Sequence, residues 1–382
     1  MRIGILTLPL HSNYGGNLQA YALMTVLRDM GHEPCLIQRK EKPFPRWRVA
    51  PALLKRSILK YVFRRRSVNI SAGIFDGKER ARVEQHARRF IATHIQPQTR
   101  KVTSFEELKQ EVENRQFDAV IVGSDQVWRS RYAPSIEENF LSFLAPGSTT
   151  RRISYAASFG TDEWQFSAAE EKTCGELLRR FDAVSVREAS AVALCESRFG
   201  VTAEHVLDPT MLLDTERYLA LLPDTPSRPT GKRSLLVYFL DEDVDRSSVV
   251  TAICNALGLE ANRVNAIGRD GAAPSVEAWI AGFRDADFVI TDSFHACVFA
   301  ILFKRPFIAY GNLKRGLARF ESLLDMFSLR RRLISSPAQA SHDLINDAID
   351  WERVHEALHR HRERSRSFLV TALAPDSERP RK

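Results

Sequence analysis

The chain has 382 residues, 44% of them apolar and 27% charged, and a net charge of +8. That balance excludes a disordered or fibrous chain, and the length suits two domains with real cores. No apolar run approaches the ~18 residues of a spanning helix, and five scattered cysteines without metal or redox spacing exclude a disulfide framework.

Arg2–Leu8 reads as a first buried strand rather than a signal peptide, which argues for the cytosol. A Gly-bearing loop leads to an amphipathic helix over Leu18–Met30, and Glu33–Gln38 is a second strand. Residues 39–66 carry eleven Lys/Arg against one Glu, so the rest of the chain sums to −2. Two readings fit this basic, partly aromatic segment: contact with an anionic membrane surface at the inner face of the plasma membrane or with a phosphorylated lipid-linked substrate, or else a solvated basic face over a docked helix. Nothing accompanies it that resembles a DNA- or RNA-binding module, so nucleic acid is not expected as a partner. Helices are then predicted over Lys78–His94, Phe105–Asn114, Ala168–Phe181 and Ser190–Phe199. Strands are predicted over Phe117–Val122, Arg152–Ala156, Ala183–Val186 and Glu204–Val206.

The stretch LPDTPSRPTGKR, with three prolines and a glycine, reads as a linker. It divides a first domain, 1–222, from a second, 230–382. In the second, strands are predicted over Ser234–Phe239, Arg263–Ile267, Phe288–Ile290 and Phe307–Tyr310. Helices are predicted over Ser247–Leu257, Ser275–Ala286 and Ala296–Phe303, with a largely helical tail over Ser341–Val370. This alternation predicts an α/β fold of two doubly wound Rossmann-like domains facing one cleft.

Polar groups at the carboxyl ends of parallel strands are where such folds bind ligands. Four places qualify. Asn13-Tyr14-Gly15-Gly16-Asn17 follows the first strand, and its glycines let backbone approach a ligand or simply make the turn. Asp125 and Gln126 follow Phe117–Val122; Asp125 suits a base or a sugar-hydroxyl partner, or else a helix cap. Arg187 ends another strand, placed to bind phosphate or carboxylate, or to pair with Glu188. Asp208-Pro209-Thr210 reads as a structural turn. Thr291, Asp292 and Ser293 then end a strand and cap a helix that starts near His295, with Lys314, Arg315 and Arg319 following within reach of one anion.

Six segments in this order, YGGNLQ, VIVGSDQVW, SYAASFG, VSVRE, VLDPTMLL and TDSFHACVFAILFKRPFIAY, resemble the polysaccharide pyruvyl transferase family across most of the chain. The resemblance implies a glycosyltransferase-B type fold. It also implies transfer of the pyruvyl group of phosphoenolpyruvate to two sugar hydroxyls, forming a cyclic ketal in cell-surface or exopolysaccharide biosynthesis. Better-studied members carry Arg-Leu-His where this chain has Ser293-Phe294-His295, so a cation that binds the donor is replaced here. On this reading His295 and Asp125 are catalytic, and Arg187, Ser293, Arg315 and Arg319 hold the donor. Asn13, Tyr14, Gly15, Gly16, Asn17 and Gln126 face a sugar, nucleotide-sugar or lipid-linked oligosaccharide acceptor. No cofactor or metal is expected, so activity should survive EDTA. Two other readings compete: a glycosyltransferase using a nucleotide sugar, and a non-catalytic polysaccharide-assembly protein at the membrane surface. The lack of any Asp or Glu between His295 and Arg319 counts against the first.

Overall fold

The computed structural model describes residues 1–39, 77–132, 135–223, 233–241, 244–264, 271–311 and 316–375. Two parallel sheets, each covered by helices, form the frame. The first contains β1 (Arg2–Leu6), β2 (Glu33–Leu36), β3 (Ala119–Val122), β4 (Arg151–Ala157), β5 (Ala183–Val186) and β6 (Glu204–His205), in the order β2-β1-β3-β4-β5-β6. The second contains β7 (Ser234–Tyr238), β8 (Glu260–Arg263), β9 (Phe288–Thr291), β10 (Phe307–Tyr310) and β11 (Leu333–Ile334), in the order β11-β10-β9-β7-β8. Both sheets step first to one side and then run out on the other, so each has a switch point, at β1/β3 and at β7/β9. Crevices at such points are where open α/β sheets take ligands.

Strands buried on both faces emerge where the sequence is continuously apolar: β3, β9 and β10 are buried at every residue. The main helices are α1 (Tyr14–Asp29), α2 (Gln85–His94), α3 (Phe105–Arg115), α4 (Ala168–Leu178), α5 (Val244–Leu257), α6 (Val276–Asp285), α7 (Phe294–Leu302), α8 (Ala318–Met326) and α9 (Trp351–Leu373). Several differ from the sequence reading. α1 begins four residues early, because Asn13 rather than a later residue caps it. The predicted Lys78–His94 helix is two helices that break at Glu84. Ser190–Phe199 tightens to a helix over Ala189–Leu194 and then widens over Cys195–Phe199. β8 lies three residues earlier than predicted, since it is an exposed edge strand whose polar Glu-Ala-Asn-Arg sequence gives no apolar signal.

One large apolar cluster crosses between the sheets, joining Leu18, Leu23 and Leu27 of α1 to Trp279, Phe283 and Phe299 of the second domain. Tyr218 meets Phe299 at 4.8 Å between ring centres. The domains are therefore docked through core-like packing. α9, placed by the sequence reading in the second domain, packs on the first: Ser365 Oγ accepts from Leu207 N at 2.9 Å, and Arg366 reaches the Leu212 carbonyl at 2.8 Å. Its apolar stripe finds a partner there in Tyr155, whose ring lies tilted 6.2 Å from that of Phe368. The basic segment from residue 40 onward lies outside the described residues. Its first member, Arg39, is buried and pairs with Glu138 at 3.1 Å, and so anchors the segment's start. No described helix is long and apolar enough to cross a membrane.

Candidate active site

The site lies where the two switch points face each other. Asn13 caps α1 by accepting from Gly16 N at 3.3 Å. Within that first turn, Gly15 has no room for a side chain: a Cβ would lie 2.0 Å from Nδ1 of His295. His295 is itself in the first turn of α7. Two helix N-termini, one from each domain, thus meet across an imidazole, and both bring partial positive charge to one place. The polar residues before α7 do not cap it. Thr291 Oγ1 bonds the Tyr238 carbonyl and Ser293 N, and Asp292 accepts from Leu240 N at 2.6 Å and pairs with Arg246 at 3.5 Å. They tie β9 to β7 instead, and Ser293 makes no side-chain bond to the helix it precedes.

From the first domain, the carboxyl ends of β3 and β5 supply Asp125 and Arg187. Asp125 sits at φ 70°, a left-handed conformation that Asp tolerates better than most residues. Its carbonyl, bonded by Val127 N at 2.8 Å and Ser158 N at 3.1 Å, holds it there. Arg187 is 3% exposed. Its Nη1 donates to Asp208 Oδ2 at 2.8 Å, and its Nη2 lies 3.4 Å from Asp125 Oδ1. Phe294 of the second domain covers the guanidinium at 4.4 Å. The alternative partner, Glu188, is not paired with it within ion-pair distance among the described residues.

Asp208 gathers the site. Oδ1 accepts from Thr210 N at 3.0 Å and Thr210 Oγ1 at 2.7 Å; Oδ2 accepts from Ser124 Oγ at 3.1 Å as well as from Arg187. His295 Nε2 lies 3.6 Å from the same Oδ2. Burial alone would raise the Asp208 carboxyl, but His295, Arg187 and Thr210 together hold it well below the usual carboxylate range. Glu188 shows the opposite balance. Its burial outweighs Arg187 and Ser158 and pushes the carboxyl up. One oxygen accepts from Ser158 and Gly160, and the other is buried without a partner.

Arg319, on α8, is buried and makes no hydrogen bond or ion pair among the described residues. Burial first, and the like charge of Arg187 second, bring its guanidinium down to about 10. The seam beside it is held by Ser322, whose Oγ accepts from Ala189 N at 2.8 Å. Buried nitrogen atoms therefore remain without a hydrogen-bond partner among the described residues at Arg187 Nε, Arg319 Nε and His295 Nε2. Desolvated guanidinium groups in that state are poised for an anion.

On the first-domain side the polarity reverses. A cavity of about 30 Å³, enough for one water-sized group, is lined by Asn13, Gly16, Asn17 and Asp125 among others. Asn17 Nδ2 donates to the His11 carbonyl at 2.8 Å, while its Oδ1 is buried and has no hydrogen-bond partner among the described residues. The lining of this corner thus includes the acceptor-bearing side chains of Asn17 and Asp125, where the other has guanidinium groups.

The remaining expected residues are placed as follows. Tyr14 is buried, stacked on Trp279 at 5.6 Å, with its hydroxyl donating to the Pro274 carbonyl at 2.7 Å; it is a packing residue at the domain seam. Gln126 accepts from Arg129 at 2.8 Å and lies over Gly160. Arg315, with Lys314, lies outside the described residues. Asp208, read from the sequence as a structural turn, and Glu188, read only as a salt-bridge partner, are the residues that reading missed. Their signal was position, since both follow the carboxyl ends of neighbouring parallel strands. Among the described residues no group of His, Cys, Asp or Glu is arranged to hold a metal ion.

The S. aureus MnaA–UDP structure superposes with a TM-score of 0.57 at 10% identity, covering 99% of this chain and 98% of that one. UDP-GlcNAc 2-epimerase from Neisseria meningitidis bound to UDP-GlcNAc gives 0.50 at 9% identity, with 98% and 99% covered. The glycotransferase of kitacinnamycin gives 0.50 at 12%, with 98% and 99% covered. At such identities the likeness concerns the fold, which is of the glycosyltransferase-B type. No curated protein matches the chain in sequence. The family model of polysaccharide pyruvyl transferase matches residues 13–314, from the cap of α1 to beyond β10. The chain belongs to the polysaccharide pyruvyl transferase family.

Proposed function

We propose that the protein transfers the pyruvyl group of phosphoenolpyruvate to two hydroxyls of a sugar, making a cyclic ketal for a cell-surface polysaccharide. The observation that carries this reading is the meeting of two helix N-termini at His295, beside the guanidinium donors of Arg187 and Arg319 that have no partner among the described residues. A compact donor carrying phosphate and carboxylate suits that corner, and hydroxyl donors of a sugar suit the acceptor-lined corner at Asn17 and Asp125.

The chemistry balances over these groups. His295 gives a proton to the donor's methylene, whose π pair forms the new C–H bond and leaves C2 electron-poor. A first hydroxyl oxygen bonds to C2, and Asp125 takes its proton. The C2–O bond to phosphate breaks, and phosphate departs with that proton. A second hydroxyl closes the ketal and returns its proton to His295. Arg187 lacks freedom to swing, since Asp208 and Asp125 hold both its Nη groups, so it acts as a fixed charge. Arg319 is the cation without a partner among the described residues, and it takes the place in this scheme of the arginine that Ser293 replaces.

The test is donor binding followed by turnover. Phosphoenolpyruvate at ~100 times its Kd should stabilise the protein by about 2.7 kcal/mol, and phosphate should be released once a sugar-acceptor extract is added. Stabilisation by UDP-sugars and not by phosphoenolpyruvate would replace this reading with the glycosyltransferase one. Binding to anionic vesicles without turnover of any donor would favour the assembly-protein reading.

A further inference from the structure

We infer that Asp208 is a positioning residue that fixes the tautomer of His295, with Nε2 carrying the hydrogen and Nδ1 exchanging the proton with substrate. The inference rests on the proposed reaction for what Nδ1 does, but not for which nitrogen is protonated.

Both ring nitrogens have defined surroundings. Nε2 is buried and has no hydrogen-bond partner among the described residues, and Asp208 Oδ2 faces it at 3.6 Å. A bare lone pair there would confront a carboxylate, whereas an N–H would confront an acceptor. The carboxylate is ionised across the working range, because four donors besides the imidazole hold it: Thr210 N, Thr210 Oγ1, Ser124 Oγ and Arg187 Nη1. It is also immobile, being 1% exposed and N-capping the turn at Pro209–Met211. At 3.6 Å the pair is short of a hydrogen bond. Catalytic hydrogen bonds are often long without ligand and tighten when the complex forms.

Nδ1 lies against the first turn of α1, at the place where Gly15 leaves no side chain. The positive end of a 16-residue helix favours a lone pair over a hydrogen at that nitrogen. The two environments therefore select the same tautomer from opposite sides of the ring. The arrangement also crosses the domain seam. Asp208 and α1 belong to the first domain and His295 to the second, so the tautomer is set only when the domains are docked. A buried carboxylate that holds an imidazole in one tautomer is the geometry by which catalytic triads keep one nitrogen free for proton transfer.

The test reads the tautomer directly. Full-length protein labelled with 15N-histidine is recorded by long-range proton–nitrogen correlation, with His295→Gln to assign the signals. The expected pattern for the neutral ring is a protonated Nε2 and an unprotonated Nδ1. A ring protonated at Nδ1, or an averaged mixture, overturns the inference. Because no substrate is present, a protein that ignores phosphoenolpyruvate but shows the Nε2–H form refutes the reaction and leaves this inference standing. Asp208→Asn should lose the fixed pattern, while Thr210→Ala, which touches only the other carboxylate oxygen, should keep it; the reverse result also overturns the assignment. In turnover, Asp208→Asn should lower kcat by ~10² or more with a smaller change in the KM for phosphoenolpyruvate.

Discussion

Gly15→Ala tests the site with a single methyl group. The added carbon would stand 2.0 Å from Nδ1, 2.3 Å from Cγ and 2.6 Å from Cε1 of His295. To restore a contact of about 3.5 Å, the ring must retreat by about 1.5 Å. It cannot retreat freely, because Asp208 lies 3.6 Å from Nε2 and Phe294 packs edge-on at 5.3 Å. Overpacking of this kind costs about 1–3 kcal/mol, while alanine returns up to about 1 kcal/mol of helix propensity to α1. The net loss of stability should therefore lie between about zero and 3 kcal/mol, and the protein stays folded. The catalytic loss should be larger, since a displacement of ~1 Å in a reacting group costs on the order of 10²-fold. The assays are urea denaturation and phosphate release from phosphoenolpyruvate with acceptor, run on the same preparation. Turnover within threefold of the parent protein would refute both the crowding argument and the placement of His295 at the chemistry.

Three further outcomes are expected. Arg319→Met replaces a buried cation that has no partner among the described residues with an apolar chain of similar length; the ligand-free protein should melt no lower, while donor affinity should drop at least tenfold, as calorimetric titration would register. Glu188→Gln should raise the melting temperature, and more so at pH 8 than at pH 5. The folded-state pKa is raised, so the parent protein loses stability as pH climbs above the unfolded value of ~4.3, and the amide removes that dependence. Asp208 works in the other direction. Its depressed pKa contributes stability that is present above ~3.9 and is lost as pH falls below it. Acid unfolding of Asp208→Asn should accordingly be shallower, with the variant already weaker by several kcal/mol at neutral pH because Arg187 loses a carboxylate.

The architecture was legible where burial is two-sided. The run Phe307–Tyr310 has no polar alternation, and the structure places it as a strand at the predicted residues; the run Phe288–Ile290 becomes a strand one residue longer. α8 was not legible from periodicity, so Arg319 was expected near the anion without a helix to carry it. Gly15 could be read as a turn residue but not as a close approach, since the ring it accommodates lies 280 positions away in the chain. Asp208 was illegible for a similar reason. An Asp-Pro-Thr turn accounts for itself locally, with Asp208 as the N-cap; its other oxygen meets Arg187 only through the pairing of β5 with β6, and His295 only through the docked domains. Local pattern yields elements and strand ends, whereas which ends meet is a property of the assembled pair.

The return of α9 to the first domain bears on how the polypeptide matures during synthesis. The carbonyls of Met211, Leu212 and Leu213 receive Arg362 and Arg366, and Leu207 N donates to Ser365. While a nascent chain is still emerging from the ribosome, these groups and the face of Tyr155 have no such cover. A fragment ending near Leu222 would display that sticky surface, and a stop codon before Trp351 should yield an aggregating product rather than a shorter working enzyme. Dual attachment, through the linker and through this returning helix, makes translation of α9 the step that covers this face of the first domain.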